Sequence, residues 1–150
     1  MRIILQRVSE ASVTVGEQVI SKIKNGFLIL LGIEEADDES DIPWLVGKIS
    51  KMRVFDDDDG KMNLSLLDCE GEALVVSQFT LHASTKKGNR PSFIKAARPD
   101  QAEPLYEAFC KTLSAQLTHP VGRGSFGAMM QVSLINDGPV TITIDSRNRQ

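Results

Sequence analysis

"MQVSLINDGPVTITI", Met130 to Ile144, alternates apolar and polar residues on both sides of a break at Asn136-Asp137-Gly138-Pro139. Period-two alternation marks a half-buried strand, and Asn, Asp, Gly and Pro are turn residues. The local pattern therefore reads as two strands joined at a hairpin corner, with Pro139 opening the second. Whether this break is a corner decides how the C-terminal third is built, and the rest of the chain supplies the context.

The same alternation opens the chain. "MRIILQRV" and "ASVTVGEQVISKI" read as a strand followed by a hairpin that turns at Gly16-Glu17. Asn25-Gly26 breaks the pattern before "FLILLGI", an apolar run suited to a buried strand. The acidic stretch "EEADDESD" ends at Asp41, which can cap a helix with Pro43 in its first turn. Trp44, Leu45, Lys48, Ile49 and Met52 suit a helix with one apolar face. After Val54-Phe55 and the turn "DDDDGK", "EALVVSQFTL" is the next clear strand, apolar until Ser77. Beyond Pro99, Asp100 and Glu103 can form a capping box, or Pro104 can mark the first helical position. Leu105, Phe109, Leu113 and Leu117 then recur every fourth residue, on one helical face. Seven or so short strands, mostly joined by turns, with only two helices predict an α+β fold. The expected sheet is antiparallel and curled or barrel-like, covered by two peripheral amphipathic helices.

At 150 residues the expectation is one domain spanning 1–150. With 41% hydrophobic and 25% charged residues the composition is that of an ordinary globular protein, and no apolar run approaches the length that crosses a bilayer. No membrane association is expected. Acid and Ser interrupt the N-terminal apolar run within ten residues, which fits a strand better than an export signal and favours the cytoplasm. Cys69 and Cys110 lack metal-ligand spacing and are read as reduced thiols. The net charge of −3 argues against indiscriminate binding to polyanions. Locally the balance differs: from Ala73 to Pro99 there is no Asp or Glu, whereas Lys86, Lys87, Arg90, Lys95 and Arg98 all fall inside. That segment reads either as a solvated loop or as a phosphate-contacting surface.

Two motifs fail on context. "GRGSFG", Gly122 to Gly127, matches a dinucleotide fingerprint but follows a helix and precedes a strand, the reverse of what a pyrophosphate site needs, so it is read as a Gly-rich connection. In "DDDDGK", placing Gly60 at the sixth position of a calcium loop puts Phe55 and Leu66 where carboxylates are required. His82 and His119 form no metal motif and read as surface residues. Neither a metal nor a cofactor is expected.

"SQFTL", Ser77 to Leu81, carries more information. A polar pair interrupts an apolar strand just before the basic loop. Such groups can satisfy a fraying strand end, or they can orient a polar substrate beside backbone N–H groups that form an oxyanion hole. Thr80 could act as a nucleophile, which would require an adjacent base.

"SQFTL" and "NDGPVT" in this order, with "LQRV" near the start and "GNRPSF" between them, resemble the D-aminoacyl-tRNA deacylase family over essentially the whole chain. The resemblance implies an antiparallel barrel-like fold and a homodimer. It also implies hydrolysis of the ester that joins a D-amino acid, or mischarged glycine, to the terminal adenosine of tRNA. Under it, Ser77, Gln78, Phe79 and Thr80 form one wall of the pocket, as its catalytic residues. Asn136, Gly138, Pro139 and Thr141 form the other, with Gly138-Pro139 a cis peptide delivered from the partner subunit. Paired backbone carbonyls there accept the substrate ammonium and leave no room for an L side chain, while Arg7 anchors the Gly-cisPro carbonyl. Lys86, Lys87 and Arg90 contact the tRNA acceptor end. Catalysis is assisted by the 2′-hydroxyl of the terminal ribose, and DNA is not an expected partner. Two other readings compete: a noncatalytic OB-type nucleic-acid module, disfavoured by one Trp, one Tyr and six Phe, and a Thr-nucleophile hydrolase of small esters or amides.

Overall fold

A computed structural model describes residues 1–150. Its elements are β1 (Arg2–Val15), β2 (Gln18–Ile23), β3 (Gly26–Gly32), α1 (Asp41–Lys51), β4 (Phe55–Asp56), β5 (Met62–Leu64), β6 (Glu72–Ser77), α2 (Pro99–Gln116), β7 (Gly122–Arg123) and β8 (Gln131–Asp145). A 3₁₀ turn, Phe79–His82, follows β6. The main sheet runs β2-β1-β3-β6-β7, with β8 on the other side of β1, while β4 and β5 form a separate hairpin. No helix is long and apolar enough to cross a membrane.

The two-helix α+β architecture matches the expectation, but the sheet is mixed rather than purely antiparallel. β1 pairs antiparallel with β2, β3 and β8, whereas β3–β6 and β6–β7 are parallel. The cause is connectivity. α1 lies on the path from β3 to β6 and α2 on the path from β6 to β7, and such crossovers are what parallel pairing needs. β3 and β6 are consequently buried on both faces, which explains their unbroken apolar runs. Phe27, Ile29 and Leu31, with Ala73 and Val75, face the large core under the helices; Leu28, Leu74 and Val76 face a smaller cluster completed by Val8, Ala11, Val13 and Ile23.

Leu105, Phe109, Leu113 and Leu117 are all buried, as their spacing predicts. Both helix starts differ slightly from expectation. Ser40 rather than Asp41 precedes α1, with the Asp41 carboxylate accepting the Asp38 N–H at 3.0 Å. α2 begins at Pro99, where a missing N–H costs nothing, and Pro104 lies inside it.

The stretch around Asn136 is not a hairpin corner. β8 runs on through it as one strand beside β1, with Gln6 opposite Thr141 and Val8 opposite Asn136. A single β1 residue, Arg7, thus faces Asp137, Gly138, Pro139 and Val140, so the strand bulges here, with Asp137, Gly138 and Pro139 exposed and Val140 packed back against the large core. The Gly138-Pro139 peptide is cis. Turn residues serve a bulge as well as a corner, so composition alone does not separate the two.

Candidate active site

The pairing of β6 with β3 extends one residue past Ser77, where the Gln78 N–H donates to the Leu31 carbonyl at 2.8 Å. The chain then leaves the sheet in the 3₁₀ turn, closed by Leu81 N–H to Gln78 (3.2 Å) and Ala83 N–H to Thr80 (3.1 Å). This turn lies directly on β3 because Gly32 has no side chain. A Cβ there would come within 2.9 Å of Leu81 Cβ and 3.1 Å of His82 Cδ2. Arg2 Nη1 donates to the Leu81 carbonyl at 2.8 Å, and the Tyr106 hydroxyl of α2 donates to the Val75 carbonyl at 2.8 Å, tying both ends of the segment. The first N–H groups of the turn, those of Phe79 and Thr80, have no carbonyl within it to bond, so they suit a developing oxyanion.

A cavity of about 760 Å³ opens beside the turn. Ser77, Gln78, Phe79 and Thr80 are among the residues that line it. Phe126 to Met130, from the Gly-rich connection, and Phe93 line it as well. These apolar residues were not singled out by sequence. Their one legible signal is "FGAMM", an apolar run placed between a glycine-rich stretch and a strand. Phe79, though 54% exposed, meets the edge of Phe93 with ring centroids 5.1 Å apart. The walls suit a flat aromatic group, with the Gln78 amide and Thr80 hydroxyl as polar contacts.

Phe93 also roots the basic loop. Ser84 and Ser92 exchange backbone hydrogen bonds of 2.8 and 2.9 Å, so residues 85–91 project as a tip on which Lys86, Lys87 and Arg90 are all exposed. None of the three is in an ion pair.

The usual nucleophile activators are missing from the turn. The Gln78 amide donates to Thr80 Oγ1. His82 is buried rather than at the surface, with its Nδ1 4.0 Å from Glu34 and the ring packed under β3. Burial among the apolar neighbours of α2 pushes the Cys110 thiol up to about 11, and burial raises Cys69 as well, so neither is a ready thiolate.

The second motif lies elsewhere. Asn136 Nδ2 donates to Thr141 Oγ1 at 2.9 Å and its Oδ1 accepts the Val140 N–H at 3.2 Å, stapling the base of the bulge. Arg7 supports it from beneath, donating through Nε to the Asp137 carbonyl at 3.0 Å and through Nη1 to the Val54 carbonyl at 2.7 Å. The carbonyl it holds is therefore one residue before the Gly138-Pro139 step. Asp137, Gly138 and Pro139 are exposed. Replacing buried Arg7 with Met is expected to lower stability by about 2–4 kcal/mol, because two carbonyls lose their charged donor. Urea unfolding followed by circular dichroism measures this, and an unchanged midpoint would mean the bulge holds itself.

One chain does not bring the two motifs together. Ser77 is level with Leu31 and hence Ile3, whereas the bulge is level with Arg7. The separation is four residues along β1, about 13 Å, and three strand spacings across, about 14 Å. None of Arg7, Asn136, Gly138, Pro139 or Thr141 lines the cavity at the turn.

A family model described as "D-Tyr-tRNA(Tyr) deacylase" matches residues 4–145. Proteins named D-aminoacyl-tRNA deacylase from Bacteroides thetaiotaomicron and Porphyromonas gingivalis are 60% and 61% identical to the chain, each over the full length of both. Among solved structures, one titled "c-Myc DNA Unwinding Element Binding Protein" is 44% identical, with a TM-score of 0.92 over 97% of this chain and 98% of its own. Another, titled as a probable eukaryotic D-amino acid tRNA deacylase, superposes with a TM-score of 0.80 at 17% identity, over 95% of this chain and 97% of its own, a likeness of fold.

Proposed function

Because the chain belongs to the D-Tyr-tRNA(Tyr) deacylase family, we propose that it hydrolyses the ester of D-aminoacyl-tRNA in sites that two copies of the chain build together. The observation that carries the second half is the separation of the two motifs. An exposed, stapled bulge and an open pocket held apart on one sheet are what a two-fold pairing can bring face to face.

In this reading the terminal adenosine occupies the apolar cavity between Phe79 and the segment from Phe126 to Met130, with the ester carbonyl at the N–H groups of Phe79 and Thr80. The partner's bulge, through Gly138 and Pro139, offers backbone carbonyls to the substrate ammonium and fills the space an L side chain would take. Rejection is then steric, so no particular D side chain is read and glycine is admitted as well. Ser77, Gln78 and Thr80 position the ester. With no base beside Thr80, the 2′-hydroxyl of the terminal ribose activates water, and the residues supply orientation and oxyanion stabilisation. A tRNA substrate puts the proposed reaction in the cytoplasm, where tRNA is charged.

Mixing two crippled variants tests the shared site. Thr80→Arg fills the pocket mouth, and Gly138→Ala damages the bulge. In a heterodimer one site carries both lesions and the other neither. Activity is expected to return when the two variants are co-expressed, and its failure to return, with heterodimers present, would confine each site to one chain.

Lys86, Lys87 and Arg90 contact phosphates of the acceptor end in this reading. Lys86→Ala with Lys87→Ala is expected to flatten the log–log salt dependence of tRNA binding by about two units, one for each phosphate contact, with the preference for D substrates retained. An unaltered slope would make the tip a solvated surface.

A further inference from the structure

Behind the catalytic turn lies a second depression, of about 800 Å³, which the chemistry above does not use. Trp44 of α1 lines it. The guanidinium carbon of Arg149 stands 4.4 Å from the centre of the indole, and the ammonium of Lys48, one helical turn along, stands 5.7 Å from it. Arg2 lines the same groove while donating to the Leu81 carbonyl, so the groove adjoins the turn that bears Phe79 and Thr80.

The charge here is unbalanced. Asp145, the one acidic side chain lining the groove, is 3.1 Å from Arg2 and also accepts the N–H groups of Arg147 and Asn148. Lys48 and Arg149 form no ion pair, nor does Lys51, which extends the basic rim into an adjoining hollow. On a chain of net charge −3, three unpaired cations around an indole face are a local excess. Cations neutralise phosphates, and the indole beneath the Arg149 guanidinium holds one of those cations in place.

We infer that this groove binds the sugar–phosphate backbone of the tRNA whose 3′ end enters the catalytic pocket, a second anchor distinct from the tip at Lys86 and Lys87. The inference rests on the tRNA reading above. An apolar ligand would meet charge on the rim, whereas a polyanion that the reaction itself delivers meets complementary charge.

Trp44 is the only tryptophan, so its emission reports the groove directly. Titration with uncharged tRNA at low salt is expected to change that emission saturably. Lys48→Ala with Arg149→Ala removes two exposed cations and leaves Arg2 in place. It is expected to raise the midpoint about 5- to 10-fold and to reduce the salt slope by about two units, with single-turnover hydrolysis of D-tyrosyl-tRNA at saturating enzyme unchanged. Emission unmoved by saturating tRNA, together with a wild-type midpoint and slope in the double variant, overturns the inference while deacylation stands. An emission change on diluting the protein alone would put a second copy on the groove and overturn it too. If the wild type fails to hydrolyse D-tyrosyl-tRNA, the deacylase reading fails, and the titration still decides whether RNA occupies the groove.

Discussion

Gly138→Ala is expected to lower the hydrolysis of D-tyrosyl-tRNA about 100-fold while the protein remains folded. Gly138 has φ +131°, where side chains are strained, and a Cβ there would stand 2.8 Å from Val140 Cγ2, 3.0 Å from the Val140 nitrogen and 3.1 Å from Arg7 Nη2. The φ itself disfavours a side chain and the Val140 nitrogen is backbone, so relief must come from moving the backbone of the bulge. Under the proposed shared site the displacement strikes the wall that reads the substrate, and an error of about 1 Å in positioning costs on the order of 100-fold. Asp137, Gly138 and Pro139 are exposed, and no core side chain is removed, so the fold should persist. Circular dichroism should show native secondary structure, and steady-state kinetics should show the loss. Wild-type kinetics in this variant would mean that the bulge takes no part in the reaction.

A substrate charged on a tRNA ending in 2′-deoxyadenosine, with the D-amino acid on the 3′-oxygen, is expected to be hydrolysed about 10²–10⁴-fold more slowly, the range that a positioned acid–base group contributes. The protein offers no substitute: the Gln78 amide is donated to Thr80, and His82 is buried with its Nδ1 toward Glu34. Binding should change little, since the phosphates remain. Single-turnover rates separate the two effects. An unchanged rate would remove the RNA hydroxyl from the mechanism and return attention to Thr80.

Much of the fold was legible because its signals are local. The four-residue recurrence from Leu105 to Leu117 and the break at Gly16-Glu17 each report on neighbours in sequence, and both elements form where the pattern puts them. What was not legible is nonlocal. β6 pairs parallel with β3 because α1 and the β4–β5 hairpin intervene, and a buried strand reads the same whichever way its neighbour runs. His82 looked like a surface residue since nothing in its sequence neighbourhood indicates that Gly32 leaves room for it. The "SQFT" wall was readable as a change of polarity at a strand end. Phe126 to Met130, which line the same cavity, come from more than forty residues away and meet it only in the fold. Likewise, Asn136 and Thr141 read as polar residues flanking a turn, whereas their side chains bond to each other and shape the bulge.

The central claim is that backbone at Gly138-Pro139 excludes an L side chain from the pocket at Ser77 to Thr80. Its most direct measurement uses one tRNA charged separately with D-tyrosine and with L-tyrosine, each followed for release of the amino acid under the same enzyme excess. Rapid release of D-tyrosine with L-tyrosyl-tRNA left at its spontaneous rate is the expected result, and equal release of both would contradict it.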